Sequence, residues 1–325
     1  MRKKIIRISI LFGLALFAFL IYKTGPSEIL RQIQKLTWAH FLILVGMRLV
    51  YWILRTICWQ IVFVAYDRRV PFLRMLKARL ASYAVSYLTP SAMLGGEPLR
   101  ALMVGGSSRR RSMATVVIDK TIEIVTMSFF TIAAVLVALA RFSMPRSTRT
   151  VFLVFIGVII LLVLFLIVRQ KKGMFIGIID AMAKVGLRFK FIERNRSHIQ
   201  DIDAHVSDFY RGRRRKMPLV ALHYCLTFFF WVAEIFVTMT FLHVPGVTIF
   251  KSFLIITLGN VALLLPTIPG SVGVYEVANV GIFALLGWNA STAMSMAIVR
   301  RIVTLVWVGV GLLAIWKSPV NIKDF

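Results

Sequence analysis

The sequence predicts an all-α polytopic membrane protein with about six full spans, two broken or re-entrant helical segments and an inverted-repeat, transporter-like core. Three observations predict it. The 325 residues are 59% hydrophobic and 16% charged, with a mean hydropathy of +0.82, whereas soluble chains run roughly 45–50% apolar and about 25% charged. The apolar residues form runs long enough to cross about 30 Å of hydrocarbon, which takes about 20 residues. Most Lys and Arg lie between those runs. This excludes a water-soluble enzyme of this size and a disordered chain.

Taken in order, the full spans are expected at Ile5–Tyr22, Ala39–Tyr66, Ser112–Ala140, Val151–Val168, Met217–His243 and Asn289–Trp316. The first has a basic start (Arg2, Lys3, Lys4, Arg7) and no small-residue cleavage site after it, so it reads as a retained signal-anchor. Phe72–Val104 and Ser252–Gly287 are apolar but interrupted by Pro and Gly, giving eight membrane elements in all. The chain is thus expected to form one integral membrane domain with repeat-like units at 39–140 and 217–316. Between them, 169–216 is a 48-residue loop too short for a separate catalytic domain. Its Ile199, Ile202, Val206 and Phe209 share one helical face, and Ile176, Ile179, Met182 and Leu187 repeat the pattern, as in amphipathic helices lying on a membrane surface. Cys58 and Cys225 both fall in apolar runs, which excludes a disulfide scaffold and a zinc cluster.

The formal net charge is +27, from 40 Lys and Arg against 13 Asp and Glu. With the N-terminus in the cytoplasm, the inner segments (1–7, 67–79, 105–111, 169–216, 317–325) hold 27 Lys and Arg and the outer ones 7. Without the long loop the ratio is still 14 to 7. An excess of Lys and Arg marks the cytoplasmic side. The expected location is therefore the cytoplasmic membrane, multi-pass, with both termini inside. The basic charge, Arg109–Arg111 included, points to anionic lipid headgroups rather than nucleic acid.

The two interrupted segments resemble each other. Pro90 precedes Glu97 by seven positions and Pro269 precedes Glu276 by seven. Gly95 and Gly96 lie between the first pair, Gly270 and Gly273 between the second, and Pro266 adds a further break. Backbone groups freed by Pro and Gly survive in a membrane only when buried in protein or lining a polar cavity. Paired broken helices in opposed halves mark transporters whose sites lie near the midplane. The alternative is that these residues merely kink ordinary packed helices.

Ionisable groups inside spans cost at least ~2.5–3.5 kcal/mol each on insertion scales and usually face a functional interior. Here they include Arg48, Arg55, Asp119, Lys120, Glu123, His223, Glu234, Arg300 and Arg301. The substrate or translocation path is expected along Glu97, Arg100, Asp119, Glu123, Gly270, Gly273, Glu276, Arg300 and Arg301. The structural alternative pairs Asp119 or Glu123 with Arg300 or Arg301 to hold the halves together; the functional one gives these carboxylates charge compensation or proton coupling. An excess of Arg suits an anionic head group, since guanidinium forks bind phosphate bidentately. Gly270 and Gly273 could open a half-helix with bare N–H groups for a phosphate, unless Glu276 caps it. In the loop, His198, Asp201, Asp203 and His205 have metal-capable side chains but read as the solvated face of an amphipathic helix. No Walker loop occurs, and no metal, cofactor or catalytic residue is expected.

The Gly-Gly-acid-x-x-Arg run (Gly95, Gly96, Glu97, Arg100) and the Pro-Gly-x-x-Gly-x-x-Glu run (Pro269, Gly270, Gly273, Glu276), followed by Arg300 or Arg301, resemble the lysylphosphatidylglycerol synthase transmembrane-region family, also called flippase-like. The resemblance covers about residues 5–316. It implies the lipid-translocating half of the larger bifunctional members, without their soluble synthase domain. The expected function is movement of a phosphate-containing lipid (a phospholipid, an aminoacylated lipid, or a polyprenyl- or glycolipid) between leaflets. The alternatives are a membrane-embedded transferase acting on a lipid-phosphate, and a non-transporting partner of a lipid-modifying enzyme. Membrane lipids with anionic head groups are the expected partners, with a second copy of the chain or a lipid-synthesis enzyme left open.

Overall fold

The five longest helices match five of the six expected spans. The structure is a computed structural model that describes residues 17–64, 70–89, 94–105, 109–143, 145–170, 173–184, 196–212, 217–261 and 269–318. Among them there is no strand. Residues 17–24 are helical, while 5–16, most of the first expected span, lie outside the described residues. Then come α1 (Pro26–Ile33), α2 (Trp38–Val64), α3 (Phe72–Leu88), α4 (Glu97–Val104), α5 (Arg109–Arg141), α6 (Arg146–Gln170), α7 (Met174–Lys184) and α8 (Arg196–Gly212). They are followed by α9 (Met217–Phe241), α10 (Ile249–Val261), a 3₁₀ turn (Pro269–Ser271), α11 (Val274–Leu285) and α12 (Ala290–Trp316). Helices α2, α5, α6, α9 and α12 are long and apolar enough to cross a membrane.

The interrupted segments are helical hairpins. In the first, α4 doubles back on α3. A Cβ on Gly96 would lie 1.9 Å from the Ser82 carbonyl oxygen, so only glycine fits there, and the Gly96 N–H donates to Ser86 Oγ at 2.9 Å. Further from the tip, Arg79 of α3 and Arg100 of α4 converge on the same oxygen of Asp119. In the second hairpin α11 returns along α10, and a Cβ on Gly259 would touch Asn279 Oδ1 at 3.4 Å and Tyr275 Cε2 at 3.7 Å. Its turn passes through Gly270 (φ 61°) and Gly273 (φ 84°), a left-handed conformation that side chains with a Cβ resist. The breaks expected at Pro90 and Pro266 lie outside the described residues.

The packing repeats between the halves. Helix α3 packs on α2 as α10 packs on α9, and α4 meets α5 as α11 meets α12. Across the halves, α3 packs on α12 as α10 packs on α5, α5 meets α9 as α12 meets α2, and α2 and α9 pack on each other. If each long helix crosses once, counting crossings brings the two hairpins in from opposite sides. They touch each other: the Tyr87 ring, one residue from the end of α3, lies against Gly270.

Lipid offers no hydrophobic force between helices, so close packing of small residues must hold them. The α3–α12 contact shows this, with a Cβ on Gly311 falling 2.3 Å from the Leu80 carbonyl oxygen. The main apolar core lies where α2, α9, α10 and α12 converge, on Leu44, Ile235, Met239, Ile256, Met296 and Val303. Phe130 of α5 stacks on Phe228 of α9 at 4.0 Å. Helix α6 stands apart, with only Ile156 and Gln170 buried among its 25 residues.

Helices α7 and α8 confirm helical periodicity in the loop, with Val206 and Phe209 buried, though Leu187 lies outside the described residues. The reading of Asp203 needs correction. It is not on a solvated face but 4% exposed, accepting the Phe175 and Ile176 backbone N–H groups at 3.1 and 2.8 Å. It thereby satisfies free donors at the start of α7. Asp201 pairs with Arg110, and His198 is exposed.

Candidate functional site

A cavity of about 550 Å³ lies against both hairpins. Helix periodicity builds its walls. On α2, Arg48, Tyr51, Trp52 and Arg55 face it; on α3, Arg79, Ser82, Tyr83, Ser86 and Tyr87 do. Each set follows i, i+3, i+4, i+7 spacing, one stripe of a helix. Glu97 and Arg100 come from α4, Lys120 and Glu123 from α5, Asn260 from α10, Tyr275 from α11, and Arg300, Arg301 and Thr304 from α12. The remaining side is apolar, formed by Met127 of α5 and by Phe155, Val158, Ile159 and Leu162 of α6. Val158 and Leu162 line the cavity yet are 57% and 48% exposed. The chamber therefore reaches the apolar outer surface beside α6.

The charged groups form two clusters. In the first half, Arg55 grips Glu123 with both terminal nitrogens, at 2.8 and 2.5 Å. Arg79 and Arg100 share Asp119 Oδ2 at 2.9 and 2.8 Å, and the Tyr224 hydroxyl donates to Asp119 Oδ1 at 2.6 Å. Glu97 lies 3.2 Å from Arg100 and 3.7 Å from Lys120. The second cluster joins the halves: Arg48 of α2 donates to Glu234 of α9 at 2.5 Å. Arg301 grips Glu276 at 2.5 and 2.9 Å and also donates to the Tyr87 hydroxyl at 3.0 Å and the Gly270 carbonyl at 3.2 Å. One side chain thus ties α12 to both hairpin tips.

The clusters are not neutral. At formal charges the first has four cations (Arg55, Arg79, Arg100, Lys120) against three carboxylates (Glu97, Asp119, Glu123). The second has three cations (Arg48, Arg300, Arg301) against two (Glu234, Glu276). Arg300 is 8% exposed and has no carboxylate partner among the described residues. It donates to the Tyr275 hydroxyl and sits 5.8 Å from the Trp231 ring and 5.7 Å from the Tyr275 ring. The buried Nε atoms of Arg48, Arg55, Arg79 and Arg300 have no hydrogen-bond acceptor. Buried donors of this kind are normally satisfied by water or a ligand.

Of the nine residues expected on the path, Glu97, Arg100, Glu123, Gly270, Arg300 and Arg301 line the cavity. Asp119, Gly273 and Glu276 stand behind the wall. Glu276 is fully buried and accepts the Gly273 N–H at 2.8 Å, so it caps the half-helix that could otherwise have offered bare N–H groups. Asp119 and Glu123 do not pair with Arg300 or Arg301; both bind arginines of their own half. Arg48 is buried, while His223 is half-buried.

Sequence reading missed Arg79 by counting it as a loop cation. It is 3% exposed inside α3, and removing it from the inner count leaves the Lys and Arg asymmetry standing. It also missed Tyr83, Tyr87, Tyr275 and Trp231. The signal was the Arg79, Tyr83, Tyr87 stripe at four-residue intervals.

Comparison with known proteins bears on this arrangement. Residues 5–312 match the lysylphosphatidylglycerol synthase TM region family. The chain belongs to this family. Among similar proteins are two UPF0104 membrane proteins of Methanothermobacter thermautotrophicus. One is 23% identical over 312 residues, covering 91% of this chain and 90% of the relative. The other is 27% identical over 312 residues, covering 89% and 86%. A UPF0104 membrane protein of Pyrococcus horikoshii is 20% identical over 315 residues, covering 91% of each chain. The match to the lysylphosphatidylglycerol synthase TM region takes in both hairpins and all the charged groups of the cavity.

Proposed function

We propose that this protein moves a lipid with a phosphate-containing head group between membrane leaflets. The observation that carries the proposal is the cavity itself, cation-rich in the interior, open to the apolar surface beside α6, and set where the two hairpins meet. A lipid can leave its acyl chains along Val158 and Leu162 while its head group enters among the guanidinium groups. Hairpin tips tied together through Arg301 are suited to alternate opening toward the two sides, as in inverted-repeat transporters. The implied setting is the cytoplasmic membrane with both termini inside, supported by the Lys and Arg asymmetry.

Purified protein in liposomes with fluorescent lipids tests this. Chemical quenching of the outer leaflet should reveal faster exchange than in empty vesicles for at least one phosphate-bearing lipid. Exchange at the empty-vesicle rate across a panel of head groups, with and without a proton gradient, overturns the proposal. Mass spectrometry of the same samples detects head-group transfer, the mark of the transferase alternative.

A further inference from the structure

We infer that the cavity selects a lipid whose head group carries two negative charges and no fixed cation, of the phosphomonoester or diphosphate class. The inference rests on the proposed lipid-phosphate function and narrows it. The described ionisable groups of the site leave one uncompensated positive charge in each cluster. The sequence segments joining the two halves of each hairpin, 90–93 and 262–268, contain no ionisable residue that could cancel either one.

A doubly charged phosphate neutralises both. A phosphodiester with one negative charge leaves one buried cation unmatched, a costly arrangement. A zwitterionic head group leaves two, and an aminoacylated lipid with a net positive charge adds to the excess. The donor supply agrees. Arg300 presents a guanidinium with no carboxylate, and the buried Nε atoms of Arg48, Arg55, Arg79 and Arg300 around the cavity have no acceptor; a terminal phosphate supplies several acceptor oxygens where a diester has fewer free. The aromatic residues beside Arg300, Trp231 and Tyr275, keep the cation in place without cancelling its charge.

Full-length protein in detergent tests the inference by native mass spectrometry at pH 8, using dioleoyl phosphatidic acid, phosphatidylglycerol and phosphatidylcholine. These share acyl chains and differ in head-group charge. Phosphatidic acid should bind about tenfold or more tightly than phosphatidylglycerol. The preference should shrink at pH 5.5, because a phosphomonoester loses its second charge near pH 6. In R300Q the preference should fall at least severalfold at pH 8; R300K, which keeps the charge, should retain more of it. Equal binding of phosphatidic acid and phosphatidylglycerol by wild-type protein at pH 8 overturns the inference. So does inorganic diphosphate binding as tightly as phosphatidic acid, which would mark a site for soluble phosphate. These outcomes are separate from leaflet exchange. Exchange without a preference for the dianion defeats only the charge assignment, and preferential binding without exchange defeats only the translocation reading.

Discussion

Tyr87 and Gly270 touch where the two hairpins meet, and a Cβ placed on Gly270 would lie 2.9 Å from Cζ of the Tyr87 ring. The Gly270 φ of 61° adds a second obstacle to any larger residue. Gly270→Ala should therefore lower stability by about 1–3 kcal/mol, combining left-handed backbone cost with overpacking. Adding Tyr87→Leu should recover part of the loss. Thermal unfolding in detergent measures both, and an unchanged midpoint for Gly270→Ala would refute the contact.

Two glycines of α12 offer an internal comparison. A Cβ on Gly311 collides with the α3 backbone at Leu80, whereas one on Gly309 meets nothing within 4 Å. Gly311→Ala should destabilise by about 1–3 kcal/mol or more, and Gly309→Ala should be neutral or slightly stabilising through helix propensity. Equal effects in unfolding experiments would show that α3 and α12 do not approach so closely.

Asp119 is the sole carboxylate shared by Arg79 and Arg100 among the described residues. Asp119→Asn keeps the shape but leaves both guanidinium groups facing a neutral amide. Breaking a buried pair from one side costs about 3–5 kcal/mol. A double-mutant cycle with Arg79→Gln should show strong coupling, so that the double variant loses much less than the sum of the singles. Additive losses would place Arg79 and Asp119 in separate environments.

Arg300 should behave in the opposite way. It is buried without a carboxylate, so Arg300→Gln removes an uncompensated charge. The ligand-free protein should unfold at a higher temperature than wild type, while lipid exchange in liposomes falls toward the empty-vesicle rate. Stability and activity pull apart where a site holds strain for its ligand. A variant that is both less stable and fully active would contradict the assignment.

Much of this fold was legible because membranes restrict the choices. Long apolar runs had to be helices, and five of the expected spans are described as such. The matched Pro-to-Glu spacing around Glu97 and Glu276 located both hairpins. What sequence could not supply was partner choice. The sequence offers Asp119 and Arg301 several opposite charges each, and only the three-dimensional arrangement of α3, α4 and α5 decides that Asp119 goes to Arg79 and Arg100. Arg79 was lost for a simpler reason: it follows Arg74 and Lys77 in the basic stretch 67–79, so a count of loop charges takes it in. The Asp203 cap on α7 escaped because its donors come from a helix 28 positions earlier.

Helix α6 lends one row of side chains to the chamber and presents nearly everything else outward. A wall held so lightly by protein is positioned by the surrounding acyl chains. The size of the side entrance then becomes a property of the host bilayer as well as of the polypeptide. Turnover should accordingly vary with chain length and order of the reconstituting lipids, even when those lipids are never themselves carried across.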